Sequence, residues 1–219
     1  MTETASKVSV VIYGANGHGK VVADILRACG TEIEGFVDDG PSIDALVYGA
    51  KVMGDGKWLA EQASLRPVTV ALGVGDNFAR RGIAERCAAS GMHLLAAVHP
   101  SATIANSVKI SPGAVIMPHA VVNADAEIGQ GAIINTAAIV EHDCKVGNFA
   151  HLSPKTAIGG HVQVGELSWL GIGATVIPNI KIGTCSIVGA GATVVRDVDD
   201  WVVAAGTPAR ILRELARRI

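Results

Sequence analysis

Aromatic rings and charge are both scarce in this 219-residue chain: Phe, Trp and Tyr make up 4% of it, and Asp, Glu, Lys and Arg 17%. Hydrophobic residues nevertheless reach 49%, so the core has to be filled by small and aliphatic side chains. The formal net charge of −2 leaves no broad basic footprint for nucleic acid. The four cysteines, Cys29, Cys87, Cys144 and Cys185, form no CxxC pair, and they read as reduced thiols of a cytoplasmic protein. No apolar run reaches the roughly 18 residues of a membrane span, and the opening MTETASK lacks the apolar centre of a secretion signal.

What the chain does have is a six-residue period. Val98, Ile104, Ile110, Ile116, Val122, Ile128, Ile134, Val140, Val146, Leu152, Ile158, Val164, Leu170, Val176, Ile182, Val188 and Val194 lie on one register without a break. Two positions before most of them stands a small residue, such as Ala114, Ala132, Ala138, Cys144 or Ala174, and glycine often follows the aliphatic, as at Gly147, Gly159 and Gly171. This period fits neither a helix nor a plain alternating strand; it marks a parallel β-helix with one short strand and one turn per repeat. Inward aliphatics define flat sides, small residues fill the inner space, and the glycines are expected to free the backbone to turn. Three sides close a coil of 18 residues, so residues 18 apart stack about one strand spacing (~4.8 Å) from each other.

Ahead of the period lies an α/β pattern. Residues 8–13 read as a buried strand, followed at once by Gly14-Ala15-Asn16-Gly17-His18-Gly19 and a helical pattern over Lys20 to Cys29. Strand, glycine turn and helix open a nucleotide-binding unit in which backbone N–H groups meet a diphosphate. The spacing is GxxGxG, which departs from the dinucleotide pattern. A second strand over Ile33 to Val37 ends in Asp38, which either accepts from a ribose or base or serves the turn that follows. Residues 42–55 read as a connection, and Lys57 to Gln62 as a short helix. Val68 to Leu72 reads as a third strand, with Gly73 and Asn77 at its open end; a helix follows from Phe78, whose Arg80 and Arg81 are either phosphate ligands or solvated. Met92 to Val98 reads as a fourth strand leading straight into the coil. The expected division is therefore an α/β part over residues 1–99 with a mainly parallel sheet and a β-helix over residues 100–219, closed by a short Arg-rich helix from Ala209 to Ile219.

The turns that break the bland pattern carry the chemistry. His142 lies two residues past the inward Val140, in a turn, with Asp143 beside it to orient and stabilise the ring. An imidazole is suited to take a proton near neutral pH. Eighteen residues further on is Gly160, whose N–H would lie one strand spacing away, as an acyl-transfer oxyanion site requires. Ile172 and Ala190 are also 18 apart but belong to another corner, and His151 is half a coil from His142. A ligand touching all of them has to bridge neighbouring subunits, which a cyclic trimer allows. The histidines leave a His-only metal site open, but no tight ligand cluster with metal spacing is visible, so no metal is expected, and His119 and His161 read as structural.

YGANGHGKVVADIL at 13–26, FVDD at 36–39, GVGDN at 73–77, INTAAIVEHDCKVGNFAHLSP at 134–154 and AGTPAR at 205–210 resemble the hexapeptide-repeat sugar acetyltransferases. Those include bacillosamine-type 4-amino-sugar N-acetyltransferases and sialic acid O-acetyltransferase-like proteins. The resemblance implies a left-handed coil and a nucleotide-sugar-binding N-terminal domain. There Gly14, Asn16, Gly17, His18 and Gly19 would face the diphosphate, and Asp38 the nucleoside. It implies acetyl-CoA as co-substrate in a groove between subunits of a homotrimer. His142 would be the general base, Asp143 its partner where some members carry Glu, and Gly160 the oxyanion amide. His151 would lie near the acetyl group, with Ile172 and Ala190 on the pantetheine. The acceptor implied is the amine of a nucleotide-linked 4-amino-4,6-dideoxy sugar, GDP-perosamine fitting best. A sugar hydroxyl, as in sialic acid O-acetylation, or a non-catalytic nucleotide-sugar-binding module are the other two readings.

Overall fold

The computed structural model describes residues 9–40 and 44–217. Val8 of the expected first strand, residues 42 and 43 of the connection, and the last two residues of the expected terminal helix lie outside the described residues.

The α/β part is one sheet with strand β1 (Ser9–Tyr13) at its centre, paired in parallel with β2 (Glu32–Val37) on one side. The connection expected over 42–55 is instead a hairpin, β3 (Leu46–Val47) and β4 (Ala50–Gly54), which extends the β2 edge. Its turn places Tyr48 and Gly49 both at positive φ, a hairpin geometry that an exposed aromatic disguises in sequence. On the other side of β1 come β5 (Thr69–Leu72) and β6 (His93–Leu94). The segment read as one strand from Met92 to Val98 splits: His93–Leu94 completes this sheet, and Ala97–Val98 is already the first rung of the coil. Helix α1 (Gly17–Ala28) covers one face of the sheet through Val22, Ile25 and Leu26, while α2 (Gly56–Leu65) and α3 (Asn77–Ala89) cover the other. The last two carry side-chain N-caps from Asp55 and Asp76, each accepting from backbone N–H groups of the first turn.

From Ala97 to Val194 the chain is a three-sided parallel coil of two-residue strands that follow the six-residue register. Every aliphatic from Val122 to Val194 on the register is buried, as are the small residues Ala114 to Cys144 that sit between them, and together they form one continuous core. Residues 18 apart pair as the coil requires: Val115 with Ile133, Ile139 with Ala157, Lys145 with Gln163. The turning residue is not the glycine after the aliphatic. It is the third residue after it: φ lies between +55° and +74° at Gly113 and then every sixth residue to Gly191, including His119, Asp143, Phe149 and His161. The glycines serve another purpose. A Cβ at Gly147 would lie 2.7 Å from the Glu166 N, and one at Gly171 2.6 Å from the Ala190 N, so glycine there allows the coils to stack closely.

The three faces differ in outward chemistry. The first, with Ala97, Val115 and Ile133, is covered by the α/β part. The second presents Thr103, Val121, Ile139, Ala157, Thr175 and Thr193, with no charge. The third presents Lys109, Glu127, Lys145, Gln163 and Lys181, as a solvated face does. After Val194 the chain adds Val202–Gly206 to the first face and returns antiparallel as Ala209–Glu214. That replaces the expected terminal helix: the edge strand offers a row of open hydrogen-bonding groups, and pairing with them outweighs the helical propensity of an Arg-rich segment.

Arg80 ties the two parts together. It was expected to be either a phosphate ligand or solvated, and it is neither: the side chain is fully buried. It donates to the carbonyls of Gly131 at 2.7 Å and Phe149 at 2.9 Å on the coil, to those of Val74 and Gly75, and to the Asn77 Oδ1. Burial pushes its guanidinium down to about 9, which leaves it charged at neutral pH. Substituting Arg80→Leu strands several buried acceptors, each costing about 1–3 kcal/mol. The expected outcome is a loss of more than about 3 kcal/mol in urea unfolding, with the α/β signal melting before that of the coil; a change under about 1 kcal/mol would refute this docking role.

Candidate active site

The left-handed turn builds the first cluster. Adjacent side chains normally diverge, but Asp143 has φ +58°, and this bends its carboxylate back to the preceding ring. His142 Nδ1 lies 2.7 Å from Asp143 Oδ2, so the shorter Asp arm reaches its partner. The hydrogen bond to Asp143 raises the His142 pKa from its ordinary value, and the same bond lowers that of Asp143. With Nδ1 engaged by the carboxylate, Nε2 is the nitrogen left to exchange a proton with a substrate. Gly160 stacks on His142: a Cβ built on Gly160 would meet the ring Cε1 and Nε2 at 2.7 Å. Its N–H has no acceptor among the described residues. Imidazole, orienting carboxylate and open amide therefore share one corner of the prism. Cys144, by contrast, points inward, is fully buried, and is held near pKa 11 by burial, so it offers no nucleophile there.

His151 lies elsewhere, on the outer side of the first face beside the α/β part. Burial, helped by the Arg80 charge and the neighbouring His18, pushes its pKa down to about 3. Its Nε2 is 2.9 Å from Asn135 Nδ2, while Asn135 Oδ1 accepts from the Thr136 N–H at 2.7 Å. That second bond orients the amide, so Asn135 donates to Nε2 and the neutral ring carries its proton on Nδ1. Trp169, one coil on, stacks against the ring at 6.1 Å. The signals in sequence for these two partners are spacings alone: Asn135 stands 16 residues before His151, and Trp169 18 residues after it.

The glycine turn at 14–19 faces this side. The helix starts at Gly17, earlier than the sequence suggests, with Asn16 as an N-cap that makes no side-chain bond and no acidic residue in the first turn. That leaves its first N–H groups for an anion. His18 Nε2 is buried without a partner among the described residues, and burial holds its pKa near 4. The glycines are not equivalent. Gly17 has open space where a Cβ would be. Gly14, at φ +110°, and Gly19 and Gly73 instead pack against one another's backbones, a Cβ on Gly19 falling 1.9 Å from the Gly14 carbonyl oxygen. Asp38, just past β2, reaches across to this loop, accepting from Ala15 N at 2.7 Å, and also accepts from Gly40 N at 2.9 Å. The expectation for Asn77 is corrected: its amide is used up on Leu167 O, Ser168 O and Arg80, because α3 docks on the coil at that point. Ile172 and Ala190 both sit exposed at the corner between the first and second faces, and neither N–H has an acceptor among the described residues.

Residues 9–87 match the PglD N-terminal domain family. The perosamine N-acetyltransferase of Caulobacter crescentus, solved with CoA and GDP-perosamine, is 42% identical with a TM-score of 0.91, over 94% of this chain and 97% of that one. The chain belongs to the family of perosamine and bacillosamine N-acetyltransferases. The acetyltransferase domain of PglB from Neisseria gonorrhoeae, solved with acetyl coenzyme A, is 38% identical with a TM-score of 0.89, over 94% of this chain and all of that one (100%). UDP-N-acetylbacillosamine N-acetyltransferase of Bacillus subtilis is 40% identical over 112 residues, 50% of this chain and about half (51%) of that relative. Like these family members, the chain is an acetyl-CoA-dependent N-acetyltransferase with an α/β part ahead of a parallel β-helix. No described helix is long and apolar enough to cross a membrane.

A general base must be neutral to work, and the His142 pKa is raised; with His142 in that role the activity limb should lie above the ordinary histidine value of ~6.5 and rise with pH through it. In Asp143→Asn the limb should move down toward ~6.5 while the plateau rate falls, and an unmoved limb in the pH dependence of kcat would refute the pairing. Gly160→Ala should push the His142 ring aside and reduce kcat at least about tenfold with an unchanged thermal midpoint; full activity would rule out the stacked amide.

Proposed function

We propose that this enzyme acetylates the 4-amino group of a nucleotide-linked 4-amino-4,6-dideoxy sugar, GDP-perosamine being the substrate favoured by its relatives, in the cytoplasmic assembly of a surface polysaccharide such as O-antigen. The observation that carries the reading is the His142–Asp143–Gly160 corner. Residues 1–99 hold the nucleotide sugar, with the N–H groups at Gly17, His18 and Gly19 on the diphosphate, Asn16 and Gly14 shaping the turn, and Asp38 fixing the loop. Residues 100–219 hold acetyl-CoA, with the Ile172 and Ala190 amides toward the pantetheine.

His142 and His151 point from different sides of one prism, so a complete site joins two chains. The uncharged second face, with Val121, Ile139 and Ala157 outward and Ile172 and Ile177 exposed beside it, supports packing into a cyclic trimer. His142 and Gly160 of one subunit would then face His18, Asn135 and His151 of the next. The neutral sugar amine attacks the thioester carbonyl, forming the C–N bond while Nε2 of His142 takes the amine proton. The Gly160 N–H holds the oxyanion. The tetrahedral centre then breaks its C–S bond, and the proton passes from His142 to the departing CoA sulfur.

His142→Asn should lower kcat by about 10²–10⁴-fold with KM little changed. The measurement is thiol release from acetyl-CoA against GDP- and UDP-linked amino sugars and their hydroxy counterparts. Release only with hydroxy sugars would replace amide formation by ester formation, and no release with any acceptor would favour a binding module.

A further inference from the structure

His161 follows His142 by one coil and one residue, and it completes a cluster that neither the base nor the oxyanion role requires. Its N–H donates to the His142 carbonyl at 3.0 Å, which stacks its turn directly on that of Asp143. Both Asp143 and His161 are held in the left-handed conformation, at φ +58° and +59°, so their side chains leave the corner in the same direction. Nε2 of His161 lies 3.7 Å from Asp143 Oδ2, which also faces His142 Nδ1 at 2.7 Å. The two imidazoles meet edge to face at 5.3 Å. One ligand atom from each of the three residues falls within 4.8 Å of the others.

We propose that His142, Asp143 and His161 form an inhibitory binding site for a divalent transition-metal ion, zinc above all. Two imidazoles and a carboxylate are the donor set of an open three-ligand zinc site. Zn–N and Zn–O bonds of about 2.0–2.2 Å place ligand atoms about 3.3 Å apart; the two nitrogen–oxygen separations of 2.7 Å and 3.7 Å lie within about 0.6 Å of this, and all three ligand atoms already lie within 4.8 Å of one another. Side-chain exposures of 54%, 43% and 58% leave an entry path. The neighbouring carboxylate of Glu141 adds negative potential at His142. The consequence follows from the function proposed above, on which the inhibitory half of this inference rests. A metal on either ring nitrogen of His142 removes the acceptor lone pair: on Nε2 directly, and on Nδ1 by leaving the proton of the neutral ring at Nε2. The ion would thus compete with the sugar amine for the base without any change in fold.

The test uses the full-length chain without a histidine tag, at one fixed pH above neutrality. Titration calorimetry with zinc, and the visible d–d bands of cobalt(II) as a substitute, should report one site per chain that disappears in His161→Asn. Zinc should slow turnover reversibly, with chelator restoring it, and the inhibition midpoint should rise at least about tenfold in His161→Asn. That variant should keep wild-type activity without metal, because His161 touches neither reacting atom. Equal metal binding by wild type and His161→Asn would overturn the site while leaving the base role of His142 intact. Stoichiometric binding lost in the variant but without effect on turnover would overturn the inhibition and count against His142 as the base.

Discussion

The left-handed turn residue, repeated every six positions, is the constraint on which the structure depends. For a residue with a side chain this conformation costs about 1–2 kcal/mol, and the coil adopts it at His119, Asp125, Ala137, Asp143, Phe149, Lys155, His161, Leu167, Asn179 and Cys185. The compensation is structural and repeats with the turn. From Ala137 on, the N–H of each such residue donates to a carbonyl of the coil below, as Asp143 to Ala124, Phe149 to Gln130, His161 to His142 and Asn179 to Gly160, while His119 and Asp125 donate to the hydroxyls of Ser101 and Ser107. Each corner is thereby bonded to the next, and the inward aliphatics are held in register by two kinds of contact. Cooperation between them explains why the glycines are free to serve close stacking instead of turning.

The same turn generates the chemistry. A side chain in the left-handed position is thrown outward and slightly back, which lets Asp143 reach the ring of the residue before it and sets His161 above Asp143. At other corners the identical geometry serves packing: Phe149, Leu167 and Cys185 occupy it and bury themselves under α3. One backbone motif thus docks the α/β part along one edge of the prism and displays an imidazole–carboxylate pair along another. Which of the two it does is decided by side-chain chemistry alone.

That division also marks what the sequence could reveal. The coil was legible because its signal is repeated at every rung and each repeat is independent of distant partners. The stacking of Gly160 on His142 was legible because it needs only the 18-residue period. His161 stands 18 residues from Asp143, on that period, but escaped because their meeting depends on a left-handed turn whose position the glycines obscured. Arg80 escaped for a deeper reason: an arginine at a helix start looks the same whether solvated or buried. Here the carbonyls that bury it come from turns 51 and 69 residues away. Asn77 was misread with it, since one docking event takes up both side chains. The terminal strand was hidden likewise, because an Arg-rich segment carries no trace of the sheet edge that recruits it.

The placement of charge connects these observations to the reaction. Three cationic or potentially cationic side chains, Arg80, His18 and His151, converge beside the glycine turn, and burial with mutual repulsion keeps both histidines neutral. At the opposite corner the influence is reversed: Asp143 and Glu141 hold His142 toward its protonated form. One side of the chain therefore supplies neutral donors beside a fixed positive charge, suited to an anionic nucleotide sugar, and the other a basic ring that readily accepts a proton. Were both functions on one side, Arg80 would depress the basicity of His142 and the carboxylates would repel the diphosphate. Placing them on different sides of one prism keeps the two influences apart within the chain.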